Sequence, residues 1–352
     1  MINILQKFKR PKNSTGTKKM SVITFEQPET VLTDLTYYQS VRNEYENECY
    51  TTPVDRLALS QLPNINSQHG GIVYARRNML LSTFIGGGMS YQHALECFLN
   101  LIVFGDLPLL KRRNIFGQVT ELFPLMSLYF RIKKDPTETQ ISGYVLPQKN
   151  GAITYDPDDV IYIRQPDTSQ RIYGYPDYMG GVNSAMLNSE STMFRRRYYN
   201  NGAHMGYIFY ATDPNLSDEL EEEIKEKIKK SKGVGNFRSM FINIPNGSPD
   251  GVKLIPVGDM SAKDEFASIK TISSQDLLNA HRYPAGLAGV VAQNGSNNGD
   301  IDKLRKNYMA TETKILQDLI VKTINTDEDI QRSPFKDKLL LNFEKISPLI
   351  SE

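Results

Sequence analysis

The chain has 352 residues, 39% apolar and 23% charged, a composition typical of a soluble globular protein with a sizeable core. Its 41 lysines and arginines nearly balance 40 aspartates and glutamates, leaving a net charge of +1. A protein that grips nucleic acid over its whole surface would be clearly basic. Any contact with nucleic acid must therefore be local or weak.

Residues 1–49 are predicted to form a flexible basic arm, since several lysines and Arg10 precede the first acid, Glu26. The arm lacks the apolar stretch of a secretory signal, and no apolar run approaches the ~20 residues that span a bilayer. Cys49 and Cys97 each stand without a second cysteine at ligand spacing. We therefore expect no membrane span and no zinc site.

Short helices and strands are mixed between residues 50 and 165. Gly71–Tyr74 and Val160–Ile163 have the apolar pattern of short strands. His93–Phe104 has helical spacing, with Ala94, Cys97, Phe98 and Leu101 on one face. The triplet Gly86-Gly87-Gly88 and the cluster at 147–151 predict loops.

The next part of the chain is more regular. Tyr178–Asn200 predicts a helix whose buried series is Met179, Val182, Met186, Met193, Phe194 and Tyr198, opposite a face of Asn, Ser, Glu and Arg. A strand at Tyr207–Ala211 follows. Ser217–Lys232 predicts a mostly solvated helix, with acids in its first turns and lysines in its last. Two further strands, Phe237–Ile244 and Val252–Val257, flank a Pro/Asn/Gly turn.

Two helices flank a Gly/Asn-rich loop near the C-terminus. The first begins at Ser261 and ends near His281, with Phe266, Ile269, Ile272 and Leu277 inward. Residues 282–299 form the loop, which is nearly uncharged and is predicted to be flexible. Asp300–Asn325 is the second helix, with an inward face of Ile301, Leu304, Tyr308, Ile315, Leu319 and Ile320. A last strand is predicted at Leu339–Phe343, and the fold class is α+β.

The motifs of common enzymes are missing. No G-x-x-x-x-G-K-[ST] or G-x-S-x-G sequence occurs, and the four histidines never take the H-E-x-x-H spacing. Each histidine is better explained by a turn or a core position than by catalysis. Asp156, Asp158 and Asp159 flank Pro157 and favour a turn over a cation site. We expect no catalytic residue, metal or cofactor, and infer that the chain is not an enzyme.

Arg195, Arg196 and Arg197 end the Tyr178–Asn200 helix, before an Asn-Gly break. Consecutive helix positions point about 100° apart, so the three cannot face one partner. A basic helix end is favoured by the dipole alone. From the residues alone, the triplet therefore indicates a basic helix end.

Several short motifs occur in a distinctive order. They are His69-Gly70, Phe104-Gly105, Ile172-Tyr-Gly-Tyr-Pro-Asp-Tyr178, Phe194-Arg-Arg-Arg-Tyr-Tyr-Asn-Asn-Gly-Ala-His204, Ser231-Lys-Gly-Val-Gly-Asn-Phe-Arg238, Ala262-Lys-Asp-Glu-Phe266 and Ala280-His-Arg-Tyr-Pro284. In this order they resemble the phage portal proteins of the PBSX family, found in contractile-tailed phages and related prophages. The similarity covers residues 45–325, although Pro284 stands alone where that family usually has two prolines.

The resemblance implies an elongated portal fold with seven parts after the arm. These are a mixed α/β wing (50–175), a first stem helix (176–204), a small α/β clip (205–258), a second stem helix (259–281), a tunnel loop (282–299), a long helix above the tunnel (300–325) and a short tail or crown remnant (326–352). Such proteins form rings, typically dodecamers, at one capsid vertex. Double-stranded DNA passes through the ring without being read in sequence.

The resemblance also implies partners and sites. Expected partners are the terminase large subunit, head-completion or adaptor proteins, and the major capsid and scaffold proteins, in the virion and earlier in the host cytoplasm. The expected channel residues are Gln293, Asn294, Ser296, Asn297 and Asn298. For Arg195, Arg196 and Arg197 of the first stem helix two roles stay open, namely ion pairs with the next subunit and contact with DNA. The expected terminase-docking residues in the clip are Lys229, Lys230, Lys232, Arg238 and Asn246. The alternatives are another phage head protein, minor capsid or adaptor, or a nucleic-acid enzyme.

Overall fold

Helices and antiparallel strands occupy largely separate runs of the chain, so the fold is α+β, as the sequence predicts. A computed structural model describes residues 49–134, 141–148, 151–200, 207–211, 252–256, 262–288 and 300–345. The helices are α1 (Arg56–Ile65), α2 (Ser67–Ser82), α3 (Tyr91–Phe104), α4 (Val182–Asn200), α5 (Ala262–Ala280), α6 (Ile301–Tyr308), α7 (Lys314–Asn325), α8 (Glu328–Arg332) and α9 (Lys336–Leu339). The π-helical segment Met309–Thr313 joins α6 to α7.

The strands form small antiparallel sheets. They are β1 (Phe84–Gly86), β2 (Asp106–Arg113), β3 (Val119–Pro124), β4 (Arg131–Lys133), β5 (Gly143–Gln148), β6 (Gly151–Tyr155), β7 (Val160–Arg164), β8 (Tyr207–Ala211), β9 (Val252–Pro256) and β10 (Asn342–Phe343). The sheet orders are β3-β2-β7, β4-β5-β6, β8-β9 and β1-β10. The strands predicted at 160–163, 207–211 and 252–257 are confirmed. The Phe237–Ile244 strand and the Ser217–Lys232 helix lie outside the described residues.

Helix α3 forms the centre of the main core, as its spacing predicts. Ala94, Cys97, Phe98 and Leu101 are all fully buried. The Ser90 hydroxyl caps the helix start, and Gly105 ends the helix in the left-handed conformation, with φ 75°. Side chains from α1, α2, α4, β2 and α7 complete the same core.

The strand predicted at Gly71–Tyr74 is wrong, because these residues lie inside α2. A short apolar run fits a buried helix as well as a strand. The local signal for a helix is Asn66, whose side-chain oxygen accepts a hydrogen bond from the His69 N–H at 2.8 Å and so caps the first turn. Gly70 then allows α2 to approach the Pro63 carbonyl of α1 closely.

Two predicted helix faces are only partly right. On α5, Leu277 is buried as predicted, but Ile272 is exposed and Ser273 is buried instead. Along 300–325, Tyr308 and Ile320 are buried, whereas Ile301 and Ile315 are exposed. The π-helical segment explains the exposure of Ile315, because its wider turn changes the phase of the residues that follow. From the last residue of the segment onward, the buried series is Thr313, Gln317, Ile320 and Ile324.

The C-terminal segment lies against the glycine triplet. Gly87 has φ +133°, and a Cβ there would come closer than 3.0 Å to the Leu340 carbonyl oxygen and the Leu341 Cα. Strand β10 pairs with β1 beside it. Lys111 of β2 binds Asp327 and Asp329 at 3.1 and 2.7 Å and holds the start of the segment. The triplet is therefore a site of close backbone approach rather than a free loop.

Replacing Gly87 with alanine should lower the free energy of unfolding by about 2–4 kcal/mol, because the new methyl group meets backbone and φ is unfavourable. Urea unfolding measures this change. The matched control is Gly71→Ala in α2, where a Cβ meets nothing within 4 Å. We expect that control to gain about 0.5–1 kcal/mol from helix propensity. Equal stability of the two variants would contradict the close approach.

The smaller sequence predictions can also be placed. Pro157–Asp159 is a single 3₁₀ turn in which the Asp159 N–H donates to the Asp156 carbonyl at 3.0 Å, so the turn is confirmed. His69 and His281 are fully buried core histidines, while His204 lies outside the described residues. Within the described ranges, every helix is too short or too polar to cross a bilayer.

Candidate functional site: the base of the α4–α5 helix pair

The predicted site residues fall into two groups. Arg195, Arg196 and Arg197 lie near the end of α4; the first two are exposed and the third is partly exposed. The predicted channel and clip residues lie outside the described residues, at Gln293, Asn294, Ser296, Asn297, Asn298, Lys229, Lys230, Lys232, Arg238 and Asn246. The first seven residues of the predicted tunnel loop, 282–288, are described and form a packed turn in which Tyr283 is buried.

Helices α4 and α5 pack through small polar side chains. Asn188 is buried at their centre, and its side-chain N–H donates to the Ser273 hydroxyl at 3.0 Å. Ser189 and Ser191 are buried as well. The expectation that the Asn/Ser side of this helix faces outward is therefore wrong: these residues are small, and Asn188 forms hydrogen bonds to Ser273 and Ser274 of α5.

A second asparagine joins this helix pair to α2. The Asn66 side-chain N–H donates to the Ala185 carbonyl at 2.8 Å and to the Asn188 side-chain oxygen at 3.2 Å. The Asn66 oxygen simultaneously caps α2. One buried amide thus fixes the start of α2 and the position of α4, a role that its sequence neighbours do not reveal.

An ion-pair network lies at the base of the pair, where α5 ends. Asp177 accepts two hydrogen bonds from the Arg76 guanidinium, at 2.9 and 2.7 Å, and one from Arg282, at 2.6 Å. Arg282 also donates to Glu312 of the π-helical segment at 2.7 Å. Burial alone would raise the pKa of Asp177, but the two arginines outweigh burial and hold this pKa below its ordinary value.

Two buried histidines extend the network. Arg76 donates to His281 Nδ1 at 3.1 Å, and since arginine only donates, this ring nitrogen must be the acceptor. The Nε2–H of His281 then donates to His69 Nδ1 at 3.0 Å. Burial, followed by repulsion from Arg76, lowers the pKa of His69 to about 3 and also lowers that of His281. Both rings are therefore neutral near pH 7.

Arg282 has an unusual backbone conformation. Its φ is +52°, and it is the sole non-glycine residue with positive φ in the described part of the chain. The Tyr283 N–H donates to the Leu278 carbonyl and the Arg282 N–H to the Asn279 carbonyl, the pattern of a helix cap that usually uses glycine. The ion pairs with Asp177 and Glu312 offset the cost of this conformation, so arginine replaces glycine where α5 ends.

Motifs that are distant in sequence meet around this base. Asp177 and Arg282 belong to two of the motifs singled out above and are 105 positions apart. Gly174 shares the motif of Asp177, while Gly105 belongs to a third motif, and a Cβ on Gly174 would come closer than 3.0 Å to the Gly105 carbonyl oxygen. Residues of these three motifs therefore contact one another although they are far apart in the sequence.

The end of the helix pair that is far from this base, its upper end, carries basic side chains. Lys270 of α5 donates to the Thr192 hydroxyl of α4 at 3.1 Å. Partial burial and repulsion from Arg195 lower the pKa of Lys270, so the two cations lie close to each other. Among the described residues, Arg195 and Arg196 have no carboxylate within ion-pair distance.

Comparison with known proteins finds relatives that match most of the chain. The model of the phage portal protein family matches residues 87–322. A probable portal protein of Haemophilus phage HP1 (strain HP1c1) is 50% identical over 310 residues, which cover 88% of this chain and 90% of the relative. The probable portal protein of Escherichia phage P2 is 37% identical over 306 residues, covering 86% and 87%.

Two solved structures, one from a particle neck and one of a portal protein, share the fold. The neck of a native gene transfer agent particle, computed with C12 symmetry, has a TM-score of 0.59 at 13% identity, covering 83% of this chain and 84% of that one. An HK97-family portal protein from Corynebacterium diphtheriae has a TM-score of 0.54 at 13% identity, covering 85% and 96%. The narrower PBSX assignment stays a prediction. The chain belongs to the phage portal protein family, the viral head-to-tail connectors.

Proposed function

We propose that this portal protein assembles into a closed ring at one capsid vertex, with double-stranded DNA passing through the ring during packaging and ejection. The observation that carries the proposal is the α4–α5 pair. Its base is anchored to the body by Asn66, Asp177 and Arg282, and the chain leaves its far end and returns through the antiparallel β8–β9 sheet. Solved neighbours of the same fold include necks computed with C12 and C6 symmetry, which supports a dodecamer.

In this proposal the helix pair is the stem and residues 50–175 are the wing. Residues 205–258 are the clip, which docks the terminase large subunit and then the head-completion proteins. The wing contacts the major capsid and scaffold proteins, first in the host cytoplasm and finally in the virion. Family membership favours this structural role over catalysis, and over a minor capsid or adaptor protein.

Residues 289–299 are proposed as the tunnel loop at the narrowest point. Helix α5 and the packed turn 282–288 lead into this segment, and α6 begins directly after it. The segment contains amides, a hydroxyl and glycines but no lysine or arginine. Each lysine or arginine that neutralises a phosphate adds to the salt-dependent grip on DNA, and a ring repeats it once per subunit. A neutral loop lets the duplex slide.

The loop proposal predicts that Asn297→Lys combined with Asn298→Lys slows DNA packaging by about tenfold at low salt, while ring assembly is unchanged. Packaged DNA protected from nuclease measures the rate, and negative-stain microscopy confirms the rings. The matched control replaces both residues with glutamine, which keeps the loop neutral and should package normally. Normal packaging by the lysine variant would remove the loop from the channel.

A further inference from the structure

The α4–α5 pair has two chemically different sides. The Ser184 hydroxyl donates to Asp276 at 3.1 Å and marks the first side, while the bond from Lys270 to Thr192 marks the second. Asn188 lies between the two bonds. On α4, Ser184, Asn188 and Thr192 are four positions apart, so each lies about 40° further around the helix than the one before it. The two bonds therefore identify opposite edges of the seam between α4 and α5.

The first side combines exposed apolar and acidic residues, and we name it the apolar-acidic face. It consists of Leu187, Glu190, Phe194, Ile272 and Asp276. Leu187 and Phe194 are seven positions apart and so lie about 20° from each other on α4. All three apolar side chains are exposed, and within the described residues neither acid has a lysine or arginine at ion-pair distance.

The second side is the basic edge, Arg196 and Lys270, with Arg195 beside it at the upper end of the seam. Arg196 is nine positions from Leu187, which places the two about 180° apart on α4. Repulsion from Arg195 contributes to the lowered pKa of Lys270, so positive charge accumulates on this edge without a partner within the described chain. Each copy thus exposes an unbalanced positive edge and an unbalanced negative face.

A closed ring needs such a pair of different surfaces, because its interface is head-to-tail. We infer that the basic edge of each subunit packs on the apolar-acidic face of the next copy, with Arg196 facing Glu190 of the partner subunit. Of the two acids on this face, Glu190 is the closer in height to Arg196, since it lies about 9 Å from Arg196 along α4 toward the base of the pair. Asp276 lies near the base itself. DNA is a poor occupant of this face, since carboxylates repel phosphates.

The inference rests on the proposed ring and is tested by exchanging charges. Arg196→Glu and Glu190→Lys, each alone, should raise the protein concentration needed for half-maximal ring assembly by about tenfold, because each places like charges together at every interface. The double variant restores opposite charges around the whole ring and should assemble close to the wild-type concentration. Native mass spectrometry over a dilution series measures all four proteins, and thermal unfolding confirms that each is folded.

The apolar part has a matched control. Ile272 and Ile315 are 62% and 63% exposed, but only Ile272 lies on the apolar-acidic face. Ile272→Asp should weaken assembly by about tenfold or more, and Ile315→Asp should not. If the wild type forms rings and the single charge variants assemble equally well, this interface is wrong although the ring is real. The same conclusion holds if the double variant assembles no better than either single variant. Absence of rings in the wild type would instead overturn the proposed function.

Discussion

Replacing Asp177 with alanine should lower the free energy of unfolding by about 3–5 kcal/mol, which would unfold much of a marginally stable population. Asp177 binds Arg76 and Arg282 at once, and Arg76 is only 3% exposed. Without the carboxylate, the Arg76 charge stays buried without its partner. Leaving one buried charge unpaired costs far more than losing an exposed ion pair.

Urea denaturation followed by circular dichroism measures this loss. The matched control is Glu328→Ala, since Glu328 pairs with Arg332 at a comparable 2.7 Å but both side chains are more than 70% exposed. That control should change stability by at most about 0.5 kcal/mol. Similar losses in the two variants would show that the buried network does not anchor the helix pair.

Acid should destabilise the protein steeply because of the buried His69–His281 pair. The pKa of both histidines is lowered in the folded chain, so the unfolded state binds protons that the folded state excludes. The stabilisation is therefore complete above the unfolded pKa of about 6.5 and is lost as pH falls toward the folded values. Each histidine contributes about 1.4 kcal/mol per pH unit in this window, so stability should fall by about 5 kcal/mol between pH 6 and pH 4.

The variant His69→Gln isolates this effect. It removes one of the two titrating rings and should reduce the slope of stability against pH by about 1.4 kcal/mol per pH unit. Gln92→Ala is the control, because Gln92 is exposed and its amide does not titrate. Asp177, Arg76, Arg282, Glu312, Tyr178 and Tyr308 surround the pair and are present in both variants. An identical slope in all three proteins would contradict the neutral buried pair.

Local patterns predicted the elements that have clear periodicity or caps. Helix α3 was predicted from its four apolar positions, and the structure places its start two residues earlier, directly after the Ser90 cap. Strand β7 follows from a continuous apolar run, and the β8 and β9 ranges are nearly correct, although their pairing could not be predicted because Phe237–Ile244 seemed a nearer partner for β9. Each of these elements is determined mainly by residues within a few positions of one another.

The anchoring site could not be predicted in the same way, because it depends on contacts between distant segments. Arg76 and Asp177 are 101 positions apart, and His281 lies 212 positions from His69. The buried face of α4 was missed for a related reason. Asn188 is polar, and only the partners Asn66 and Ser273 show that it belongs inside. Arg282 lies in a short motif of the sequence, but its positive φ and its ion pairs with Asp177 and Glu312 are seen only in the structure.

Electron cryomicroscopy of the purified protein would show directly how copies of the chain assemble. We expect a closed ring in which α4 and α5 surround the axis and residues 289–299 form the narrowest part of the opening. A ring whose 289–299 segment lies on the outer surface, or a protein that stays monomeric at high concentration, would show that this arrangement is wrong.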